Sequence, residues 1–581
     1  MYPLNASETL QKKKSLKKKL LAQSVNWIEK RVAILGGSTT AEVKDQLEIF
    51  LLKNAIKPTF YESEYNQYWE DVMFDNPKLK QFEPEIIYIH TTSKNLTPYK
   101  QVKTKEEADA LLKVQLGKFE EMWDKIFATY NCYIIQNNFE RPPYRLLGNM
   151  DISDYRGFSN FISRLNQGMY KYAQTYPNFF VNDIDYLASE FGLSKWLDPK
   201  YWYLYKYAMS IEAIPALGFN VANIIKSIYG KNKKAVVTDL DNTLWGGIIG
   251  DFGLDCIYMT MDTPMGEAYR ELQKYLLNLK DIGVLINVCS KNDYSVALQG
   301  IMSDDFLLSP ADFVCLEANW DDKHYNVEKI INKLNLNPDS VVFIDDNPVE
   351  RDIVSENIPA VAVPYFEDII YFPQHLDKQG YFEVTAITAD DLSRTDMYLA
   401  NTKREQSEAS FVNYKDYLKS LNMSAEIKPF KSSVIVRVTQ LINKTNQFNL
   451  TNKRYGEAEV EQIASSDKCI TLYGKLVDKF GDNGIVSAII AEVKEDSLRI
   501  VLWVMSCRVF KREFELAMFD ELVAIAKSMG LSSISGKYVP SDTNEIVANL
   551  YKNLGFTNYG GVWVFDVSSA EDLCKVISIV R

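Results

Sequence analysis

Five short apolar runs break up the first 230 residues: RVAILGG, KPTFYES, EIIYIHTT, CYIIQNN and FFVNDI. Helical patterns separate them, and that alternation predicts a parallel sheet with helices on both faces. A second group follows: Ala235–Val237, Val284–Cys289 (interrupted by Asn287) and Val341–Ile344. Near-continuous apolar stretches of this kind mark strands buried on both faces of a parallel sheet. Between them, Tyr269, Leu272, Leu276 and Leu279 recur at helical spacing, as do Val327, Ile330, Ile331 and Leu334, so both segments read as crossover helices. Thr388–Leu421 is polar, with few glycines or prolines, and reads as a helical connector. Beyond about Ser424, CITLYGKLVDKFGDNGIVSAIIAEV and SLRIVLWVMSC read as long strands, with a helix from about Phe514 to Met529 after them. At the other end, Gln11–Ile28 carries six lysines, and Leu16, Leu20, Val25 and Ile28 fall on one helical face. That segment reads as a solvated amphipathic helix packed on the body rather than a membrane or RNA anchor.

Length and composition narrow this picture. A chain of 581 residues with 46% hydrophobic and 24% charged residues suits two to four packed domains. A net charge of -12 argues against nucleic acid as a partner of the whole chain. Seven cysteines without a CxxC pair read as reduced thiols, which points to the cytoplasm. The three histidines, His90, His324 and His375, stand at no zinc-ligand spacing. No apolar run reaches the length of a membrane span, and the N-terminus lacks the apolar core of a signal peptide.

Chemistry gathers where the second group of strands ends. Ala235–Val237 runs into Asp239 and Asp241, with Thr243 close behind. Residues two apart in a strand share a face, so the two carboxylates project together if the chain stays extended. The next strand reaches Ser290, Lys291 and Asp293, and Val341–Ile344 reaches Asp345 and Asp346. Lys323 precedes the helix before this last strand. The carboxyl ends of parallel strands lie along one edge, where open α/β sheets bind ligands. Clustered carboxylates repel unless a cation intervenes, and Mg²⁺ prefers carboxylate oxygens.

In order and spacing, DLDNTL (Asp239–Leu244), CSKND (Cys289–Asp293), Lys323 and FIDDNP (Phe343–Pro348) resemble the haloacid-dehalogenase-like phosphotransfer superfamily. The resemblance implies that Asp239 is the nucleophile on phosphorus and Asp241 the general acid/base. It implies that Thr243, Ser290, Lys291 and Lys323 hold the phosphate, and that Asp239, Asp241, Asp345 and Asp346 form the Mg²⁺ site. LDNTLWGGIIGDFG, NWDDK and FIDDNPVER narrow the likeness to the FkbH-like proteins. That family implies three α/β domains, two of them doubly wound parallel-sheet and the last an acetyltransferase-like (GNAT) mixed sheet. On this sequence the expected boundaries are an esterase-related (SGNH-like) domain over 1–230, a phosphotransfer domain over 231–385, a helical connector over 386–423 and an acyltransferase-like domain over 424–581. Asn544–Phe556 matches the last helix of acetyltransferase-like folds.

Two departures from active relatives stand out. Gly36–Ser38 reads Gly-Gly-Ser, and LDPKYW (Leu197–Trp202) lacks the histidine of an esterase DxxH motif. A serine without a base is a poor nucleophile, so a non-hydrolytic role is expected for the first domain. In the last domain, Ser506–Glu513 has no glycine where acetyltransferases cradle the coenzyme A pyrophosphate. The family implies glyceryl transfer from 1,3-bisphosphoglycerate, through an enzyme thioester, to the phosphopantetheine thiol of an acyl carrier protein. Two thiols are candidates. Cys289 adjoins Ser290 at the phosphate site and is slightly favoured, although strand alternation turns it to the other face. Cys507 precedes Arg508, Lys511 and Arg512, three charges that would favour a thiolate and could dock an acidic carrier protein. A Mg²⁺-dependent phosphatase of small phosphorylated metabolites and a non-catalytic carrier-binding scaffold are the alternatives. Lys444–Tyr455 also matches the family; its polar residues fit either a cleft lining or a turn.

Overall fold

The computed structural model describes residues 5–96, 102–254, 257–366, 368–541 and 543–580. The chain forms two compact units that divide at Ile228 and Tyr229.

The lysine-rich N-terminal segment forms two short helices, Ala6–Gln11 and Lys13–Leu21, not one helix reaching Ile28. Val25 lies beyond the second helix, and Ile28 opens the first strand. Leu20 packs on Ile49 and Leu52. Lys13 pairs with Glu42 and Asp45 at 2.6 and 2.7 Å, and Lys17 with Glu48 at 2.7 Å. The acidic face of helix Ala41–Lys53 thus neutralises this part of the lysine run.

Strands β1 (Ile28–Gly36), β2 (Ile56–Glu62), β3 (Ile86–His90), β4 (Tyr133–Asn137) and β5 (Phe179–Asn182) form a parallel sheet in the order β2-β1-β3-β4-β5. All five match the predicted runs. Ala33, Leu35, Ile87 and Ile89 pack against Phe119, Trp123, Phe161 and Leu165 of helices Lys105–Thr129 and Phe158–Thr175. Val32 and Ile34, on the other face of β1, are also fully buried, as expected for a doubly covered sheet.

The second unit opens with β6 (Ala235–Thr238), β7 (Leu285–Ser290), β8 (Phe313–Ala318) and β9 (Val341–Ile344), parallel in the order β8-β7-β6-β9. β6 lies between the other two strands that carry the motif residues, so their carboxyl ends meet at one switch point. β8 was not apparent from the sequence: its run is broken by the half-buried Glu317, and it lies at the sheet edge. Helices Pro264–Asp281 and Lys323–Leu334 bury the apolar positions read as crossover helices.

The predicted connector is three helices, Ala389–Leu392, Arg394–Glu408 and Tyr414–Ser420. Next, β10 (Met423–Lys428), β11 (Cys469–Asp478), β12 (Gly481–Lys494), β13 (Ser497–Met505), β14 (Ser533–Gly536), β15 (Thr557–Tyr559), β16 (Val562–Asp566) and β17 (Ile577–Ile579) form a mixed sheet, ordered β15-β16-β14-β13-β12-β11-β10-β17. The molecule is thus α/β throughout, with two parallel sheets and one mixed sheet. β13 and β14 pair in parallel only over Ser497–Ile500 and Ser533–Gly536. Beyond Ile500, the freed edge of β13 is taken by Phe448–Leu450. Met505 N donates to Phe448 O at 3.1 Å, and Leu450 N to Trp503 O at 3.3 Å. This assigns Lys444–Tyr455 a structural role that the sequence left open. The predicted helix over Asn544–Phe556 shrinks to a turn at Glu545–Val547 and a short helix, Leu550–Asn553. The buried Asn544 holds loops instead: its Oδ1 accepts from Ser541 N at 2.7 Å, and its Nδ2 donates to Asn449 O at 2.8 Å.

Candidate active site

Asp239 follows the last residue of β6, and its backbone N–H continues the ladder by donating to Ile344 O at 3.0 Å. Asp345 and Asp346 follow β9. Two adjacent parallel strands therefore deliver three carboxylates to one place, and each offers an oxygen within 4.8 Å of the others. Asp239 and Asp345 are buried, and Asp346 is half-buried. Lys323, the first residue of its helix and itself buried, donates to Asp239 Oδ2 at 2.8 Å and to Asp345 Oδ2 at 2.5 Å.

Three carboxylates against one ammonium leave buried negative charge. Burial first, and the Asp239 charge second, push Asp345 up to about 7 against the opposing effect of Lys323. Asp346 is raised for the same two leading reasons. Burial alone would depress Lys323, but the Asp239 and Asp345 charges outweigh it and hold the ammonium protonated. Asp239 Oδ1 is buried with no hydrogen-bond partner. An orphaned carboxylate oxygen beside two further carboxylates is a donor set that fits a hard divalent cation.

The backbone around these groups is braced. Arg351 donates to the carbonyls of Asp345 and Asp346 at 2.7 and 2.9 Å and stacks on Phe366 at 4.8 Å. Asp345 Oδ1 accepts from Asn347 N at 2.9 Å. Thr243 is fully buried; its Oγ1 accepts from Asp346 N at 3.1 Å and lies 3.4 Å from Asp346 Oδ1. It links the two motif loops from within.

Asp241 departs from the sequence reading. The strand stops at Thr238, and Asn242 takes φ +53°, so the chain turns instead of staying extended. The Asp241 carboxylate is not one of the clustered three. Its Oδ1 accepts from Trp245 Nε1 at 2.7 Å and Ile249 N at 3.2 Å, and its Oδ2 from Asn292 Nδ2 at 2.8 Å. Burial raises it despite these bonds, and the Asp239 charge adds to the rise. A half-buried carboxyl inclined to keep its proton beside a carboxylate cluster is the arrangement a general acid requires. Asn292 and Trp245 were not anticipated as its partners. Asn292 stands in CSKND and Trp245 in LDNTLWGGIIGDFG, and membership of those motifs is the signal that could have found them.

Ser290 ends β7 and is buried, and its Oγ also lacks a hydrogen-bond partner. Lys291 is at the rim instead, paired with Glu350 at 2.7 Å. Cys289, its neighbour on the other side, is fully buried in the apolar cluster of Val237, Val327 and Phe343, on the opposite face of the strand. Burial pushes its thiol well above the ordinary range. The slight preference for Cys289 as acyl carrier is therefore corrected: its Sγ packs in the core, with Lys323 O at 3.7 Å.

The three basic residues expected as a carrier-docking patch divide differently. Arg512 is buried on Asp478 at 3.0 Å, and Arg508 is buried with Asp390 at 3.7 Å. Only Lys511 is exposed. Arg512 is thus held by the buried Asp478, and Arg508 approaches the half-buried Asp390. Cys507 opens a short turn, Cys507–Val509, half-buried, with its Sγ 3.7 Å from Tyr398 Oη.

In the first unit, Ser38 is buried just past β1, and its Oγ has no hydrogen-bond partner. In LDPKYW, Asp198 caps helix Pro199–Tyr205 by accepting from Lys200 N at 2.9 Å. The aspartate thus has a structural use without the missing histidine. Among the described residues no helix is long and apolar enough to cross a membrane.

Residues 31–226 match the family model for the FkbH N-terminal domain. No curated protein matches the chain. Among solved structures, the chain is similar to the N-terminal part of the protein BF1531 from Bacteroides fragilis, which contains a phosphatase domain and is complexed with Mg. The two share 27% identity at a TM-score of 0.60, over 64% of this chain and 99% of that one. A ribosomal-protein-S18-alanine N-acetyltransferase from Escherichia coli matches at 11% identity and a TM-score of 0.20, over 26% of this chain and 99% of that one. A GNAT-family acetyltransferase from Streptococcus pneumoniae matches at 15% identity and a TM-score of 0.20, over 25% of this chain and 99% of that one.

Proposed function

We propose that this protein, whose residues 31–226 carry an FkbH N-terminal domain, is a Mg²⁺-dependent enzyme that transfers or hydrolyses the phosphoryl group of a small molecule at Asp239. The observation that carries this reading is the meeting of Asp239, Asp345 and Asp346 within 4.8 Å at the ends of two adjacent strands. The likeness to the BF1531 structure complexed with Mg supports magnesium as the ion. Asp239, Asp345 and Asp346 would hold it, and when bound it would neutralise enough charge for an anionic phosphate to approach an anionic nucleophile.

The residues then divide the work. Asp239 attacks phosphorus, the bond to the leaving oxygen breaks, and an aspartyl phosphate forms. Asp241 gives its proton to the leaving oxygen and afterwards takes one from the water that hydrolyses the acyl phosphate. Ser290 Oγ and Lys323 Nζ donate to the transferring phosphoryl oxygens.

The finer reading is glyceryl transfer from 1,3-bisphosphoglycerate to an acyl carrier protein. It gives both a phosphatase site and a thiol something to do. The ester phosphate leaves by hydrolysis at Asp239. A cysteine thiolate displaces the acyl phosphate as inorganic phosphate and keeps the glyceryl group as a thioester. With Cys289 in the core, Cys507 is the thiol this reading requires.

The test uses the full chain, Mg²⁺ and 1,3-bisphosphoglycerate, with and without carrier protein, read by phosphate release and intact mass. Expected are release of the ester phosphate that stops with chelator and in Asp239→Asn, and a glyceryl adduct, formed with release of the acyl phosphate, that is lost in Cys507→Ser. Phosphate release without any adduct leaves a phosphatase and overturns glyceryl transfer. Undiminished turnover in Asp239→Asn overturns both readings.

A further inference from the structure

A cavity of about 100 Å³ lies inside the second unit, between its four-stranded sheet and its mixed sheet. Its wall is unusual in charge. Lys234, Arg394, Arg437, Lys444 and Arg508 all line it, together with Cys507. Among the described residues, the ion-pair partners of these cations are two carboxylates. Asp390 meets Arg437 at 2.9 Å and Arg508 at 3.7 Å; Asp391 meets Lys444 at 3.2 Å and also pairs with Arg394. Burial lowers Lys234 and Lys444, yet the three guanidinium groups alone outnumber the two carboxylates, so positive charge is in excess around one small space.

Other contacts do not offset that excess. Lys234 Nζ donates to Lys444 O at 2.9 Å, and Arg394 to Gly283 O at 3.0 Å. Carbonyl dipoles ease desolvation but carry no charge. Arg437 Nε is buried with no hydrogen-bond partner. Burial depresses Arg437 to about 10 and Lys444 to about 8, with neighbouring cations adding to the fall. Buried charges in folded proteins are paired or bind a ligand, because unpaired ones are costly.

We infer that this cavity is a second anion site, built for the phosphoryl group of a small molecule, with the Cys507 thiol in its wall. Guanidinium groups present the planar donor pairs that phosphoryl oxygens accept. The site is assembled from other residues than the Asp239 cluster, and it stands whether or not the protein transfers glyceryl groups. A purely structural role for the cations, as a seam between the two sheets, predicts no ligand.

The experiment uses the full chain in chelator, so that no metal assists binding elsewhere. Inorganic phosphate is titrated calorimetrically, and Cys507 alkylation by iodoacetamide is followed by peptide mass spectrometry at ionic strength matched with sodium chloride. Phosphate is expected to give binding heat and, at ten times its dissociation constant, to slow Cys507 alkylation ~10-fold. Both effects should persist in Asp239→Asn and in Lys511→Gln, an exposed lysine outside the cavity. Both should be lost in Arg437→Gln and weakened in Lys444→Gln, a partly exposed position chosen so that the fold survives. No heat in the wild-type protein, heat that vanishes in Asp239→Asn, or undiminished heat in Arg437→Gln would each overturn the proposal.

Discussion

Glu140 shows how a single buried side chain sets a pH dependence. It is fully buried, accepts from Ser93 Oγ at 2.6 Å, and is pushed by burial up to about 7. Below about pH 4.5 it is protonated folded or unfolded and costs nothing. Between that pH and 7 the unfolded chain ionises while the folded one keeps its proton, so stability falls as pH rises. His90 acts in the opposite sense. Burial lowers it to about 4, so its contribution is present at higher pH and is lost as pH falls. The two slopes oppose in the wild-type protein. Glu140→Gln keeps the acceptor and removes one of them. Its stability relative to wild type should gain ~3 kcal/mol between pH 4 and pH 7.5, as read by urea denaturation of the first unit. At the candidate active site, Asn292 donates to Asp241 Oδ2. Asn292→Ala is expected to lower turnover ~10- to 100-fold with unfolding unchanged, as measured by kcat and thermal melts. The residue types of this site were legible because charged groups directly after buried strands have few structural uses. Their contacts were not. Nothing in the spacing told that Asp241 would turn to Trp245 and Asn292, or that Arg508 and Arg512 would be consumed by Asp390 and Asp478.

Among elements, strands buried on both faces declared themselves, whereas the interrupted edge strand β8 did not. Phe448–Leu450 is the instructive case. Its polar neighbours fit a cleft lining or a turn, and the segment hydrogen-bonds the edge that β13 exposes after parting from β14. Only tertiary pairing reveals that role, since no local pattern encodes an edge left free far along the chain. Asn449 secures it: fully buried, its Oδ1 accepts from Thr451 N at 3.2 Å and Asn452 N at 2.9 Å. Asn449→Ala leaves those donors unpaired and is expected to cost ~2 kcal/mol in chemical denaturation of the second unit. The same segment denies this strand edge to a ligand, and the loop after it, Ser506–Glu513, has no glycine. Coenzyme A should therefore bind the wild-type protein no more tightly than inorganic phosphate does, as read by calorimetry.

At the scale of the whole chain, the charges of the second site gather beside close backbone contacts. The four-stranded sheet and the connector meet through Gly283, at φ +91°, where an added Cβ would stand 2.4 Å from Asp391 O. Gly230, at φ +67°, meets Asn443 O in the same way at 2.5 Å. Two left-handed glycines thus let separate parts of the second unit approach closer than any side chain permits. Around those contacts lie Asp391, Arg394 and Lys444, the charges of the anion cavity. An alanine at position 283 meets both a strained dihedral and a backbone oxygen, which together should cost ~2–4 kcal/mol. The strain acts on the contact with Asp391 and not on the β6 and β9 ends that carry Asp239 and Asp345. Gly283→Ala should therefore retain phosphate release and its Mg²⁺ dependence while losing phosphate protection of Cys507. Limited proteolysis should show new cleavage near the exposed 409–413 break in the connector. Loss of both properties together would mean that the two sites share one cooperative structure, and retention of both would show that the contact at Gly283 is not what shapes the cavity.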